Sequence, residues 1–254
     1  MSFTTKDWLD DFRTAVAFLT RIPMPHPDGP TPTNFARAQR VFPVIGAAIG
    51  AVAGVVWLGL AAIGLPSLAA SALALGASAL LTGAFHEDGL ADVADGFGGG
   101  RTKAAKLEIM LDSRLGTFGT MGLLVSFLAK VSALAALPGA IVLPGLVAAH
   151  ALARAILPGL AMVMPYARKE GLAATAGRPD AATSALAMIF ALVIALLILP
   201  IAAALGAALV AILAGAGMVI LANRQIGGQT GDVLGGAEQV AETAILLLLA
   251  TRLV

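Results

Sequence analysis

Residues 183–222 read TSALAMIFALVIALLILPIAAALGAALVAILAGAGMVILA, forty positions without one Asp, Glu, Lys or Arg. About 20 mainly apolar residues cross a bilayer as a helix, so this stretch holds two crossings, 183–204 and 205–222, with the break between Pro200 and Gly206. Four more segments of the same kind lie upstream, at 41–63, 66–84, 117–137 and 138–162. Of the 16 basic and 15 acidic side chains, only Lys130 and Arg154 fall inside the six spans. Gly64-Leu65-Pro66 and Leu137-Pro138-Gly139 suit tight helix–helix turns as Pro200 does, so the spans pair into three hairpins. The expected fold is all-α: a single polytopic integral membrane bundle over 1–254, with six to seven transmembrane helices.

Composition agrees. The 254 residues are 59% hydrophobic and only 12% charged, with a mean hydropathy of +0.92. A soluble domain carries roughly twice that share of charge. Net charge is +1, so no basic field attracts nucleic acid. The absence of cysteine excludes disulfides, thiolate metal sites and a Cys nucleophile. Met1 to Pro25 contains Asp7, Asp10, Asp11, Arg13 and Arg21 and no apolar core for a signal peptidase, so targeting falls to the internal spans.

Each hairpin returns the chain to the side it left, which gathers the polar segments 1–40, 85–116, 163–182 and 223–240 on one face. They carry the basic residues from Lys6 to Arg40, Arg101 to Arg114, and Arg168 to Arg224, which by the positive-inside rule marks that face as cytoplasmic. Chemistry confined to one side suits an enzyme better than a transporter. Two end segments are less decided. Trp8, Phe12, Ala15, Val16, Leu19 and Ile22 share a helical face, so 7–22 is either an amphipathic helix in the membrane interface or an ordinary helix against the bundle. Ala244 to Ala250 is apolar but short, and reads as a half-inserted or packed helix.

Nine of the fifteen acids lie in two stretches. The first runs from His86-Glu87-Asp88-Gly89 through Asp92 and Asp95 to Glu108 and Asp112; the second is Gly228-Gln229-Thr230-Gly231-Asp232, with Glu238 and Glu242 behind it. Asp88, Asp92 and Asp95 project from one helical face. The bland reading is a solvated acidic face. Beside an apolar span, with no interleaved Lys or Arg, the repulsion calls for a hard cation, and oxygen-only ligands select Mg2+ or Mn2+. Such ions take phosphate oxygens as co-ligands, and Gly98-Gly99-Gly100, read as a flexible loop, precedes the cations Arg101, Lys103, Lys106 and Arg114. Asp112 either completes a metal cluster or acts as base toward an attacking hydroxyl. His86, like His26 and His150, reads more simply as a structural hydrogen-bonding group than as a ligand. Within the spans, Arg154 lies close enough to the charged face to reach a phosphate, whereas Lys130 sits deeper.

The run from His86 to Gly119, His-Glu-Asp-Gly-Leu-Ala-Asp-x-x-Asp-Gly followed by Glu108-Ile109-Met110-x-Asp112-Ser113-Arg114-x-Gly116-Thr117-x-Gly119, resembles the cobalamin synthase (adenosylcobinamide-GDP ribazoletransferase) family. Thr20-Arg21-Ile22-Pro23-x-Pro25, Phe42-Pro43-x-x-Gly46 and Gly228-Gln229-Thr230-Gly231-Asp232-x-Leu234-Gly235 extend the likeness over nearly the whole chain. The resemblance implies a Mg2+-dependent enzyme of the bacterial inner membrane, multi-pass and facing the cytoplasm. It would join adenosylcobinamide-GDP to α-ribazole, or its 5′-phosphate, and release GMP. Asp88, Asp92, Asp95 and Asp112 would then be the catalytic and metal-holding carboxylates. Arg101, Lys106, Arg114 and Asp232, with His86 and Glu87, would bind substrate. A homo-oligomer, or a complex with other cobalamin-assembly enzymes, is compatible with the chain but tied to no residue.

Two other readings follow from the same residues. Asp92-x-x-Asp95-Gly96 is similar to part of the CDP-alcohol phosphotransferase motif of phospholipid synthesis, but the match breaks at Phe97-Gly98-Gly99-Gly100-Arg101. A transporter would need ionisable groups along a path between faces, and only Lys130, His150 and Arg154 are available.

Overall fold

Pro66, Pro138 and Pro200 each close a helix hairpin in the same way: a fixed φ near −55° and an extended ψ place the proline as the cap from which the returning helix starts. The computed structural model describes residues 4–25 and 32–251. Along the chain run α1 (Thr5–Leu19), α2 (Pro32–Ala38), a 3-10 turn (Gln39–Val41), α3 (Phe42–Ala62), α4 (Ser67–Thr82), α5 (Phe85–Gly99) and α6 (Lys103–Ile109). They are followed by α7 (Thr117–Ala136), α8 (Gly139–Val163), α9 (Leu172–Ala176), α10 (Ala181–Ile198), α11 (Ile201–Ile226) and α12 (Gly231–Leu249). Among the described residues the only β-type pairing is an isolated bridge between Tyr166 and Gln229.

Five stretches are long and apolar enough to cross a membrane: 34–62, 117–136, 139–163, 181–198 and 201–226. The bent pair α4–α5 supplies a sixth. The three hairpins α3/α4, α7/α8 and α10/α11 are those expected, and the protein is a multi-pass membrane bundle. One boundary moves. The last break lies at Leu199-Pro200, so the crossings are 181–198 and 201–226 rather than 183–204 and 205–222. Pro200 takes an extended conformation and starts α11 as its N-cap, whereas Gly206 lies inside that helix.

Helix α8 is the axis of the bundle. Ala148, Ala149, Ala151, Leu152 and Ala153 are fully buried, and small residues on α3 let the two backbones approach. A Cβ on Gly46 would lie 2.4 Å from the His150 carbonyl oxygen, and one on Gly50 2.4 Å from that of Leu146. Across the first hairpin, Trp57 Nε1–H donates to Ser71 Oγ at 3.1 Å. Large apolar side chains such as Val55, Leu80, Leu128, Leu197 and Leu213 point outward, as a lipid-facing surface requires.

Helix α1 packs against the bundle, which decides between the two readings of the N-terminal segment. Its capping box of Thr4 and Asp7 starts the helix. Asp11, buried on the inner face, pairs with Arg37 at 3.0 Å and Arg40 at 2.7 Å, and Arg40 lies over the Trp8 ring. His26 lies outside the described residues. At the other end, α12 starts thirteen residues before the apolar run that marked it, at Gly231, and is a packed helix with Ile245 and Leu246 fully buried.

Between α4 and α5 the chain turns by 94°. Gly83 (φ 72°) and Ala84 (φ 56°) both take the left-handed conformation. Arg21 closes over this corner: its backbone N–H donates to the Leu81 carbonyl at 2.8 Å, and a Cβ on Gly83 would lie 2.7 Å from its Nε. The expected glycine loop is not one. Gly98 and Gly99 belong to the last turn of α5, and only Gly100 caps it. The glycines serve contact, since a Cβ on Gly98 would meet the Phe118 ring at 2.6 Å and one on Gly100 the Lys106 side chain at 2.5 Å.

The inner faces of α5, α7, α8 and α12 share a buried ionic network. Arg154 Nη1 lies 2.6 Å from Glu238 Oε1, and Lys130 Nζ lies 3.1 Å from Glu242 Oε1 and 2.7 Å from Gln239 Oε1. His150 Nδ1 is 2.9 Å from both Arg154 Nη1 and Glu242 Oε2. His86 Nδ1 joins from α5, 3.4 Å from Arg154 Nη2 and 3.7 Å from Glu238 Oε2. Glu238 and Glu242 thus each meet a permanent cation, and Glu87 shares a groove with Lys130. This corrects one expectation: Arg154 is engaged inside the bundle, paired with Glu238, and not placed for a phosphate; the deeper Lys130 and the hydrogen-bonding His86 join the same network.

Two stability predictions follow from these contacts. Gly50→Ala should lower the melting temperature of the detergent-solubilised protein, at a cost of about 1–3 kcal/mol for forced overpacking. Gly59→Ala, where a Cβ meets nothing within 4 Å, should stay within about 0.5 kcal/mol of the parent. Arg154→Met should cost about 3–5 kcal/mol by stranding Glu238, and adding Glu238→Gln should recover part of the loss in the same thermal measurement.

Candidate active site

Glycine lets α5 and α12 touch backbone to backbone. A Cβ on Gly89 would lie 2.9 Å from the Asp232 carbonyl oxygen, and one on Gly235 3.4 Å from Gly89 Cα. This crossing joins the two acidic stretches, 140 positions apart in the chain, into one site: Asp88 and Asp92 from α5 beside Asp232 from α12.

The second stretch folds as it does for local reasons. Gly228 passes so close to Pro165 that a Cβ would lie 2.1 Å from its carbonyl oxygen. Gln229 is buried and its Nε2 donates to the carbonyls of Ala161 (2.8 Å) and Met164 (3.0 Å), closing the C-terminal end of α8. Thr230 caps α12 by accepting from the Val233 N–H at 3.2 Å. Asp232 then accepts from Arg168 Nη2 at 2.7 Å and from the Thr230 hydroxyl at 3.1 Å.

Electrostatics mark the same place. Burial, together with the carboxylates of Asp88, Asp232 and Asp95, pushes Asp92 up to about 7, against a smaller opposing effect of Arg168. Burial likewise raises Asp232, with Arg168 opposing. The charge on Asp92 is thus under-compensated, as a carboxylate that expects a cation would be. Beside it, an open cleft of about 900 Å3 lies between Leu111 and the loop Arg168-Lys169-Glu170-Gly171.

The expected site residues divide into those the fold gathers and those it does not. Asp88 is exposed and Asp92 half-buried on the shared face. Asp95 is turned to the start of α7, where its two oxygens accept from the Gly116 N–H (2.7 Å) and Gly119 N–H (2.8 Å); it works as the cap of that helix. Asp112 accepts from Arg114 through both oxygens, Oδ1 at 3.0 Å from Nε and Oδ2 at 2.5 Å from Nη2, and this hydrogen bonding holds it down at about 2. The pair stands beside Leu111 at the rim of the cleft. Lys106 donates to the Gln225 side chain, and Arg101 is exposed. Glu87 turns away, into a groove shared with Lys130 and Gln239. Arg168, which sequence spacing did not single out, is the cation in direct contact with the acidic site.

Among the described residues, the group of three potential ligand side chains whose atoms lie within 4.8 Å of one another is His150, Glu238 and Glu242, already paired with Arg154 and Lys130. The outer carboxylates do not close to that degree. They fit Mg2+, which keeps waters and takes one or two carboxylates plus substrate phosphates rather than a protein cage.

Comparison with known proteins bears on what this site belongs to. A family described as cobalamin-5-phosphate synthase matches residues 11–250. A protein of Bradyrhizobium diazoefficiens named adenosylcobinamide-GDP ribazoletransferase is 43% identical, covering 97% of this chain and 95% of its own length. Proteins of the same name from Sinorhizobium sp (45% identical; 96% and 97%) and Azorhizobium caulinodans (44% identical; 94% of each) agree. No solved structure matches significantly. The match reaches from the first amphipathic helix through the acidic crossing to the last buried turn, and the chain belongs to the cobalamin-5-phosphate synthase family.

Proposed function

We propose that the protein joins adenosylcobinamide-GDP to α-ribazole or its 5′-phosphate, releasing GMP and forming adenosylcobalamin or its 5′-phosphate, with Mg2+ as cofactor and Mn2+ as a substitute. The observation that carries this reading is the α5–α12 crossing, which sets under-compensated carboxylates against a basic cleft at the charged end of a membrane bundle. The excess of Lys and Arg at that end supports a bacterial inner-membrane location with the site facing the cytoplasm.

In this reading Asp88, Asp92 and Asp232 hold the cation. Bound there, the ion supplies charge neutralisation on the diphosphate. Arg168 and Lys169 of the cleft, with the exposed Arg101 and Arg114, hold phosphate oxygens. A ribose hydroxyl of the acceptor attacks the phosphorus attached to cobinamide; the new P–O bond forms as the bond to GMP breaks, and the hydroxyl proton leaves to a carboxylate of the row. Asp112, held near 2, is too weak a base for that task and instead fixes Arg114. Asp95 acts through α7 by capping it.

The test is GMP release by purified protein with both substrates and Mg2+. Asp88→Asn and Asp92→Asn should each lower turnover roughly a hundred-fold or more while inserting normally, and EDTA should abolish it. Near-parental activity in both variants would sink the metal assignment. Turnover of CDP-diacylglycerol instead would move the protein to phospholipid chemistry.

A stability consequence has the opposite sign. The folded state binds a proton on Asp92 near pH 7, whereas the unfolded chain does so only near 3.8. The metal-free protein therefore loses stability as pH rises from about 4 through 7. In EDTA at pH 8, Asp92→Asn should melt higher than the parent. The difference should shrink as pH falls and vanish only below about pH 4, and Mg2+ should raise only the parent.

A further inference from the structure

Four phenylalanines from four separate elements converge one helical turn before the acidic row. Phe18 of α1, Phe35 of α2, Phe42 at the start of α3 and Phe85 at the start of α5 surround a cavity of about 40 Å3 that widens into an open mouth, about 420 Å3 with the solvent space in front of it. The Phe35 and Phe85 rings stand edge-on to Phe18, with centroids 4.6 and 5.2 Å away at 86° and 77°. Phe42 lies nearly parallel to Phe18 at 5.7 Å. Phe18, Phe35 and Phe85 are only half-buried, so aromatic surface is left facing the open space. Gly231 and Gly235 of α12 form another wall, and Gln39 and His86 give it a polar edge.

The position matters as much as the lining. Phe85, Asp88 and Asp92 stand at i, i+3 and i+7, so the aromatic wall and the carboxylates share one face of α5. One turn, about 5.4 Å, separates them, which a single ribose ring spans. Gly231 likewise adjoins Asp232. Among the described residues that line the cavity there is no Lys or Arg to attract phosphate, and the aromatic corner suits a flat, largely apolar ring system, which stacks on ring faces and meets ring edges.

We infer that this cavity seats the base of the acceptor nucleoside, and that Phe18, Phe35 and Phe85 set which bases are accepted. The inference rests on the ribazole-transfer reading above: the base is a planar dimethylbenzimidazole, and seating it here carries the ribose hydroxyls toward Asp88.

The experiment measures KM for each substrate in Phe35→Leu, Phe35→Tyr and Ala176→Phe. Ala176 lines the cavity from α9, so the last variant fills it without removing a core side chain. Loss of one stacking face is expected to raise the KM for α-ribazole about ten-fold in Phe35→Leu and Ala176→Phe. Phe35→Tyr should restore it, and the KM for adenosylcobinamide-GDP should stay within about two-fold. Free dimethylbenzimidazole should compete with α-ribazole in the parent and cease to do so in Ala176→Phe. Unchanged acceptor KM values, equal rises in both KM values, or no competition by the free base would overturn the inference while leaving transfer activity intact. Absence of any GMP release by the parent would instead defeat the transfer reading. Should the Phe35 variants not fold, the competition experiment in the parent decides alone.

Discussion

The contact of Gly89 with Asp232 and Gly235 is the constraint on which the rest depends. It brings two helix backbones to van der Waals distance, and every side chain of interest lies on one flank of that seam or the other. Asp88, Asp92 and Asp232 lie on the outer flank; His86, Glu238 and Glu242 lie on the inner one. A side chain at position 89 would separate the helices, part Asp92 from Asp232, and pull His86 from the Arg154–Glu238 pair. Site and core are therefore not independent parts. They are the two sides of one crossing.

The flanks handle charge differently. Inside the bundle, Glu238 and Glu242 are matched by Arg154 and Lys130, because an unpaired ion in lipid-like surroundings costs several kcal/mol. On the outer side the carboxylates outnumber their cation, and the imbalance survives because Asp88 reaches water. A family of transferases acting on diphosphate substrates gains from this arrangement. The inner network fixes the geometry, and the outer row keeps negative charge that the proposed reading assigns to a cation arriving with the substrate.

Most of the bundle was legible from composition and spacing alone. Proline at the three hairpin turns and the absence of charge in the spans determine the crossings, and Asp88 and Asp92 follow from helical periodicity. Tertiary partners were not legible. Nothing in the run around Asp95 says that its oxygens meet the Gly116 and Gly119 amides, since that depends on where α7 begins in space. Likewise Arg154 near the charged end reads as a phosphate ligand until Glu238, 84 positions on, is placed beside it. Arg168 escaped notice because its relation to Asp232 passes through Gly228 and Gln229, which tie the end of α8 to the start of α12. The glycine triplet misled for a related reason: glycine signals close approach as well as flexibility, and Phe118 and Lys106 settle which.

The bend between α4 and α5 explains why the site lies where the chain meets the membrane surface. A straight helix from 67 to 99 would have spent its amide groups internally. Breaking it at Gly83 and Ala84, where the alanine takes a left-handed conformation that costs about 1–2 kcal/mol, creates a new helix N-terminus beside Glu87 and Asp88. Helix α12 starts beside Asp232, and α7 starts at the amides held by Asp95. Three helix N-termini thus serve one acidic region, and each offers partial positive charge to an anion. That field lets carboxylates crowd together at the end of an apolar bundle, and it favours phosphate oxygens in the same place. The strained corner is structurally sensible because it ends one apolar helix and starts another whose N-terminus lies beside the acidic row.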